Sequence, residues 1–367
     1  MQDIGRSKRA KQAYNFDDIT IVPSRRTRGQ EEVSLAWKID AVECDFPMLA
    51  APMDSIMSPQ TAITVGRCGG LGVLNLEGLW TRYAEPEPLL AEIASIEDNP
   101  TATRRMQELY AAPIQPELIT ARMQEIREAG VPVAGSLSPQ NTAEFAAAVE
   151  SAGVDFFVIR GTTVSAEHVS SVSEPLNLKE FIHSLEVPVI VGGCATYQAA
   201  LHLMRTGAAG VLVGFGGGAT HANQDVLGIS VPMATAVADV AEARRDYLDE
   251  SGGRYVHVIA DGAVGRSGDI AKAIACGADA VMVGAPLARA TDAPGQGWHW
   301  GAEAWHASLP RGERTKFSPL GSLSEILLGP SHVADGTMNL VGALRRTLAT
   351  TGYTEVKAFQ RVEVVLS

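Results

Sequence analysis

The chain has 367 residues, a formal net charge of −12, 46% hydrophobic side chains and 20% charged ones. Its acidity excludes nucleic acid and anionic lipid surfaces as partners. With a polar start, MQDIGRSKRAKQ, and no apolar run near the ~18 residues of a membrane span, the sequence reads as a cytoplasmic protein handling small molecules, with no membrane association.

In chain order, the apolar runs are PMLAAPM (47–53), GLGVLNL (70–76), VPVAGSL (131–137), GVDFFVIR (153–160), VPVIVGG (187–193), GAAGVLVG (207–214), YVHVIAD (255–261) and GADAVMVG (277–284). Helical stretches such as TAEFAAAVESAG, ATYQAALHLMRTG and SGDIAKAIACG alternate with them, each ending on a glycine suited to a helix C-terminus. Eight such units predict a (β/α)8 TIM barrel, one domain over 1–367. Residues 77–130, charged and Pro-punctuated, are expected to be a helical connection. Residues 286–340, rich in Gly, Pro and Trp, are expected to form a flap inserted after strand eight and lying across the active rim.

Segments that follow barrel strands share one rim, where such folds build their sites. That rim should carry Met53, Asp54, Arg160, Cys194, the triple glycine Gly216 to Gly218, Asp261 and Gly284. The stretch from Gly214 to Ala219 matches G-x-G-x-x-A, with Asp239 at the distance a dinucleotide fingerprint asks for. The fingerprint also needs a helix opening at the glycines, and ATHANQDVLGISVP, with Asn223, Gly228 and Pro232, is loop-like. A backbone cradle for an anionic oxygen fits better, with Gly262 and Gly284 contributing from adjacent strands; tight turns alone are the plainer alternative. Asp261 ends its strand and can accept hydrogen bonds from two neighbouring ribose hydroxyls, while Ser267 and Gly268 read as the cap of the next helix.

Cys44, Cys68, Cys194 and Cys276 lie far apart without metal-ligand spacing and read as reduced, mostly buried thiols. Cys194 alone is expected on the active rim, but nothing in VGGCATY supplies a base or cation to activate it.

The stretches NFDDITIVPS (15–24), APMDSIMS (51–58), GGLGVL (69–74), PVIVGG (188–193), VLVGFGGGATH (211–221), IADGAVGRSGDIAKAIACGADAVMVGAPLARA (259–290) and LVGALRRTLATTGYTEVKAF (340–359) are similar, in order, to IMP dehydrogenase and GMP reductase. Residues 77–130 are too few for that family's regulatory pair of cystathionine-synthase-type modules, so the chain resembles the short bacterial branch. The resemblance implies a purine nucleoside 5′-monophosphate as ligand, NAD or NADP as cofactor, a monovalent cation, and a homotetramer or octamer. It places nucleotide contacts at Met53, Gly216, Gly217, Gly218, Ala219, Asp261, Gly262, Ala263, Gly284, Ala285 and Gly301.

Several positions depart from the family's pattern. His221 stands at the cysteine whose thiolate attacks the purine, so it is the candidate catalytic residue, acting as a general base for water, as a ligand contact or structurally. Ala219, Ala263 and Ala285 replace two serines and a glycine. Arg160-Gly161 replaces an Asp-Ser pair on the cofactor side; Arg160 either favours an extra phosphate or closes the site by pairing with a carboxylate. Arg311, the second catalytic candidate, replaces the Glu that recognises the base, and a guanidinium only donates. Trp298, Trp300 and Trp305 either stack on a base or seal the flap. Three readings follow: an IMP-dehydrogenase-like oxidoreductase with altered or weak activity, a purine-nucleotide-binding protein that has lost the chemistry, and an FMN-dependent barrel oxidoreductase.

Overall fold

Eight short, buried strands close into a parallel barrel in the computed structural model, which describes residues 2–169, 171, 175–216, 223–301, 304–306 and 314–367. They are β1 (Met48–Ala50), β2 (Leu71–Asn75), β3 (Ala134–Leu137), β4 (Phe156–Arg160), β5 (Val189–Cys194), β6 (Gly210–Val213), β7 (His257–Asp261) and β8 (Ala280–Val283). Seven lie inside their expected apolar runs, and β5 runs one residue past its own, to Cys194. The hydrogen-bonded order β5-β6-β7-β8-β1-β2-β3-β4 closes on itself, with β8 meeting β1 in the register Val281 to Met48 and Val283 to Ala50. Parallel strands covered by helices are apolar on both faces, and Phe156 to Ile159 of β4 are accordingly all fully buried.

The helices are α1 (Pro59–Arg67), α2 (Glu87–Ser95), α3 (Asn99–Tyr110), α4 (Pro116–Glu128), α5 (Pro139–Ser151), α6 (Leu178–Ser184), α7 (Tyr197–Arg205), α8 (Met233–Glu250), α9 (Ser267–Ala275), α10 (Leu323–Leu328), α11 (Leu340–Thr350) and α12 (Val356–Phe359). After α5, α7 and α9 the chain turns through Gly153, Gly207 and Gly277, with φ of 70°, 100° and 113°, the left-handed exit that lets each return strand start. Serine and threonine caps set the other ends: Ser58 Oγ accepts from the Thr61 N–H at 3.0 Å, and Thr196 Oγ1 from the Ala199 N–H at 3.3 Å. Ser267 is not the cap of α9 but its first residue. Asp269 instead reaches back to accept from the Gly265 and Arg266 N–H groups at 3.1 and 2.9 Å, because an acidic side chain in the first turn can satisfy those donors.

Residues 77–130 contain α2, α3 and α4. Beyond β8, Trp298–His299 pairs antiparallel with Thr315–Lys316, and α10 then buries Leu323, Ile326 and Leu327. The two ends of the chain meet where Ile19–Ile21 pairs with Val364–Leu366. At the start of β7 and β8, the face opposite the candidate rim, Arg244 Nη1 lies 2.6 Å from Asp279 Oδ2, both buried. Burial would push Asp279 up, but Arg244, with Lys357, His257 and the Tyr255 hydroxyl, holds it below the usual carboxylate range. Among the described residues no helix is long and apolar enough to cross a membrane.

Candidate active site at the rim of the barrel

One ion pair joins the ends of β4 and β7, and the loop after β6 crosses it. Arg160 Nε donates to Asp261 Oδ2 at 2.8 Å and Nη2 to Oδ1 at 3.4 Å, with side chains 18% and 7% exposed. Above the pair, the Gly216 N–H donates to the Asp261 carbonyl at 3.1 Å. Gly216 has φ +59, and a β-carbon there would strike the Arg160 guanidinium, so only glycine lets the β6 loop cross so closely. On the neighbouring strand, the Gly161 N–H donates to the Gly192 carbonyl at 2.8 Å, fixing the base of the Arg160 side chain.

After Asp261 the backbone turns through Gly262 at φ +148 and Ala263 at φ +53. Ala263 thus keeps a left-handed conformation that favours glycine, at a cost of roughly 1 kcal/mol.

Gly284 and Ala285 follow β8. A β-carbon built on Gly284 would stand 3.6 Å from His299 Cε1 and 3.7 Å from Nε2, so the imidazole edge faces this turn. His299 is 4% exposed, its Nδ1 is 3.3 Å from Ser55 Oγ, and burial pushes its pKa down to about 4. The ring is therefore neutral at pH 7, with one nitrogen committed to Ser55. Ser55 Oγ also accepts from the Trp300 N–H at 3.2 Å and donates to the Trp300 carbonyl at 3.1 Å. Sequence reasoning missed both residues. GWHWG signals a histidine between two tryptophans, but nothing in its spacing says that it packs against a turn fifteen residues earlier.

Met53 is buried in the loop after β1, next to Asp54, and Gly301 follows Trp300. His221, Gly217, Gly218, Ala219 and Arg311 lie outside the described residues. Cys194 lies at the end of β5 but is fully buried; its thiol contacts the Leu212 carbonyl at 3.4 Å, and burial pushes it up to about 12, so it does not present a thiolate to the rim. Asp239 sits in α8, where its carboxylate pairs with Lys11 at 2.8 Å. The carboxylate that a dinucleotide fingerprint would set on a ribose is thus engaged by a lysine.

The comparisons with known proteins agree with this geometry. The IMP dehydrogenase / GMP reductase domain model matches residues 13–308. An uncharacterized oxidoreductase of Mycolicibacterium smegmatis is 53% identical over 370 residues, covering 99% of this chain and 98% of that protein. Inosine-5′-monophosphate dehydrogenase of Thermoplasma acidophilum is 35% identical over 227 residues, covering 58% of this chain and 44% of that protein. The crystal structure of an IMP dehydrogenase/GMP reductase-like protein from Corynebacterium glutamicum superposes with a TM-score of 0.95 at 50% identity, over 100% of this chain and 97% of that one.

Proposed function

This chain belongs to the IMP dehydrogenase / GMP reductase family, and from that premise we propose that it is an oxidoreductase of the IMP-dehydrogenase type that binds a purine nucleoside 5′-monophosphate at the described rim, with altered or weak turnover. The observation that carries the reading is the convergence of Asp261, the Gly262–Ala263 turn and Gly284 at the ends of two adjacent strands. An acceptor for ribose hydroxyls and backbone turns for a phosphate belong together in that arrangement.

The ion pair with Arg160 is compatible with a ribose contact. Only Nε makes a short bond to Asp261, and the 3.4 Å approach of Nη2 leaves Oδ1 with acceptor capacity. Arg160 would then aim the carboxylate while a ribose hydroxyl donates to Oδ1. Backbone amides at Gly262 and Gly284, together with Gly217 and Gly218, would meet the phosphate, and Met53 and Gly301 would border the base. Supply of a side-chain hydroxyl to the phosphate is lost at Ala219 and Ala285.

The cofactor side fits less well. NAD or NADP would supply the hydride acceptor, but Arg160 leans from β4 across to β7 under Gly216 and so occupies the place beside Gly161. With His221 at the family's nucleophile position, no thiol adduct can form there, and an imidazole instead offers a base for water. This same ion pair favours a second reading, a nucleotide-binding member with impaired chemistry. A homotetramer or octamer and a monovalent cation remain part of the family-based proposal.

Calorimetry with IMP, XMP, GMP and AMP tests binding, and NADH absorbance with IMP and NAD tests turnover. Asp261→Ala should weaken the binding of the preferred nucleotide by about 1–3 kcal/mol, the range for a hydrogen bond to a charged acceptor. His221→Cys alone should not produce vigorous NADH formation, because Arg160 and Arg311 are unchanged. Unaltered affinity in Asp261→Ala would sink the placement of the ribose. Vigorous turnover by the natural protein would remove the impaired reading and make His221 the catalytic base.

A further inference from the structure

The helical connection between β2 and β3 and the segment after β8 are bound to each other by side chains that reach from one to the other. At the C-terminal end of helix α2 the carbonyls run out of intrahelical donors, and the Ile96 N–H closes the last turn on the Ile93 carbonyl at 3.3 Å. Arg314, 2% exposed, fills that end: Nη1 donates to the Ile93 carbonyl at 2.7 Å, Nη2 to that of Ile96, and Nε to Asn99 Oδ1 at 3.1 Å. Trp298 Nε1 donates to the Ala94 carbonyl at 3.0 Å, and the Arg314 guanidinium lies 3.8 Å over the Trp298 ring.

The last residue of α3 makes the second attachment. Tyr110 stacks on Trp305 with ring centroids 4.4 Å apart and planes 7° from parallel. Its hydroxyl accepts from Trp300 Nε1 at 3.2 Å and donates to Asp54 Oδ2 at 2.6 Å. Asp54 belongs to the loop after β1, immediately beyond Met53. Its buried carboxylate also accepts from the Leu79 N–H at 2.7 Å and from Asn75 Nδ2 at 3.3 Å, and a β-carbon at Gly78 would collide with it. The chain of contacts therefore runs from the rim (Asp54) through the connection (Tyr110) to both tryptophans that flank Gly301. The neighbouring His299 and Trp300 are the residues that Ser55 holds beside Gly284.

We propose that α2 and α3 form a clasp for the flap, and that Tyr110 is a positioning residue that sets the flap's height over the rim. In this chain, the place at which relatives with regulatory modules insert them is used to hold the flap from outside the barrel. The functional consequence rests on the reading of the rim as a purine-nucleotide site. The clasp itself is a property of the ligand-free protein.

Hydrogen exchange followed by mass spectrometry separates the two. Tyr110→Phe keeps the stack on Trp305 and loses both hydroxyl bonds; Tyr110→Ala loses everything; Arg314→Met releases the end of α2. In ligand-free protein, peptides covering 295–301 and 314–317 should exchange about fivefold faster in Tyr110→Phe, as loss of the neutral hydrogen bond from Trp300 implies, and faster still in Tyr110→Ala. Peptides of β2 and β7 should be unchanged. A residue that only stabilised its own helix would speed exchange in 99–110 and leave 295–301 and 314–317 alone, and that result overturns the proposal. Should Tyr110→Ala speed exchange everywhere, the result is read from Tyr110→Phe and Arg314→Met. Unchanged flap peptides in both would likewise overturn it. Nucleotide affinity is then measured on the same variants: a loss in Tyr110→Ala that Tyr110→Phe partly restores supports the link to the site. An affinity that stays the same while the flap peptides accelerate overturns that link. If the natural protein binds no nucleotide, the purine-site reading fails while the exchange result still judges the clasp.

Discussion

His299 gives the sharpest quantitative test, because its burial and its pKa fix both the sign and the size of an effect. In the unfolded chain the imidazole titrates near ~6.5, whereas in the fold burial holds it at about 4. The unfolded state thus binds the proton first, so stability falls as pH drops from about 7 toward about 4 and levels off below that. The full gap corresponds to about 3 kcal/mol at ~1.36 kcal/mol per pH unit, and at pH 5 about 2 kcal/mol of it is already lost. His299→Gln keeps a donor or acceptor for Ser55 Oγ and does not titrate. Urea unfolding of both proteins should show the stability difference between them shifting by about 2 kcal/mol in favour of the variant between pH 8 and pH 5. Asp54, whose burial raises its pKa, works with the opposite sign, and His257, lowered mainly by burial, with the same sign. Both are common to the two proteins and cancel in the difference. A difference that stays constant with pH would refute the neutral, buried imidazole.

Two further outcomes follow from named contacts. Cys194, buried with its thiol pushed up to about 12, should resist alkylation in the folded protein at pH 8 while half-buried Cys68 reacts first; mass spectrometry of peptides after a short iodoacetamide pulse checks the order. Gly78→Ala would force a methyl group against the Asp54 carboxylate and should cost about 2–4 kcal/mol in chemical denaturation, the range for disrupting a buried charged network; a loss below about 0.5 kcal/mol would show that the carboxylate is free to move aside.

The sequence by itself determined the barrel. Its eight apolar runs were legible because parallel strands buried on both faces must be continuous in hydrophobicity, and because the glycines at 153, 207 and 277 had to mark helix exits. It also placed Asp261, Gly262 and Gly284 on one rim, since in this fold every strand's C-terminal end points the same way. Tertiary structure alone decided who touches whom there. Arg160 offered two roles in the sequence, and only the closure of β4 and β7 around Gly216 gives it Asp261 as a partner, 101 residues away. Tyr110 and Arg314 carried no signal at all: a tyrosine ending one helix and an arginine before a short strand acquire their roles because the fold brings the C-terminal carbonyls of α2 and the carboxylate of Asp54 to them. Such contacts are set by side chains meeting across long sequence separations, which periodicity, composition and spacing do not encode.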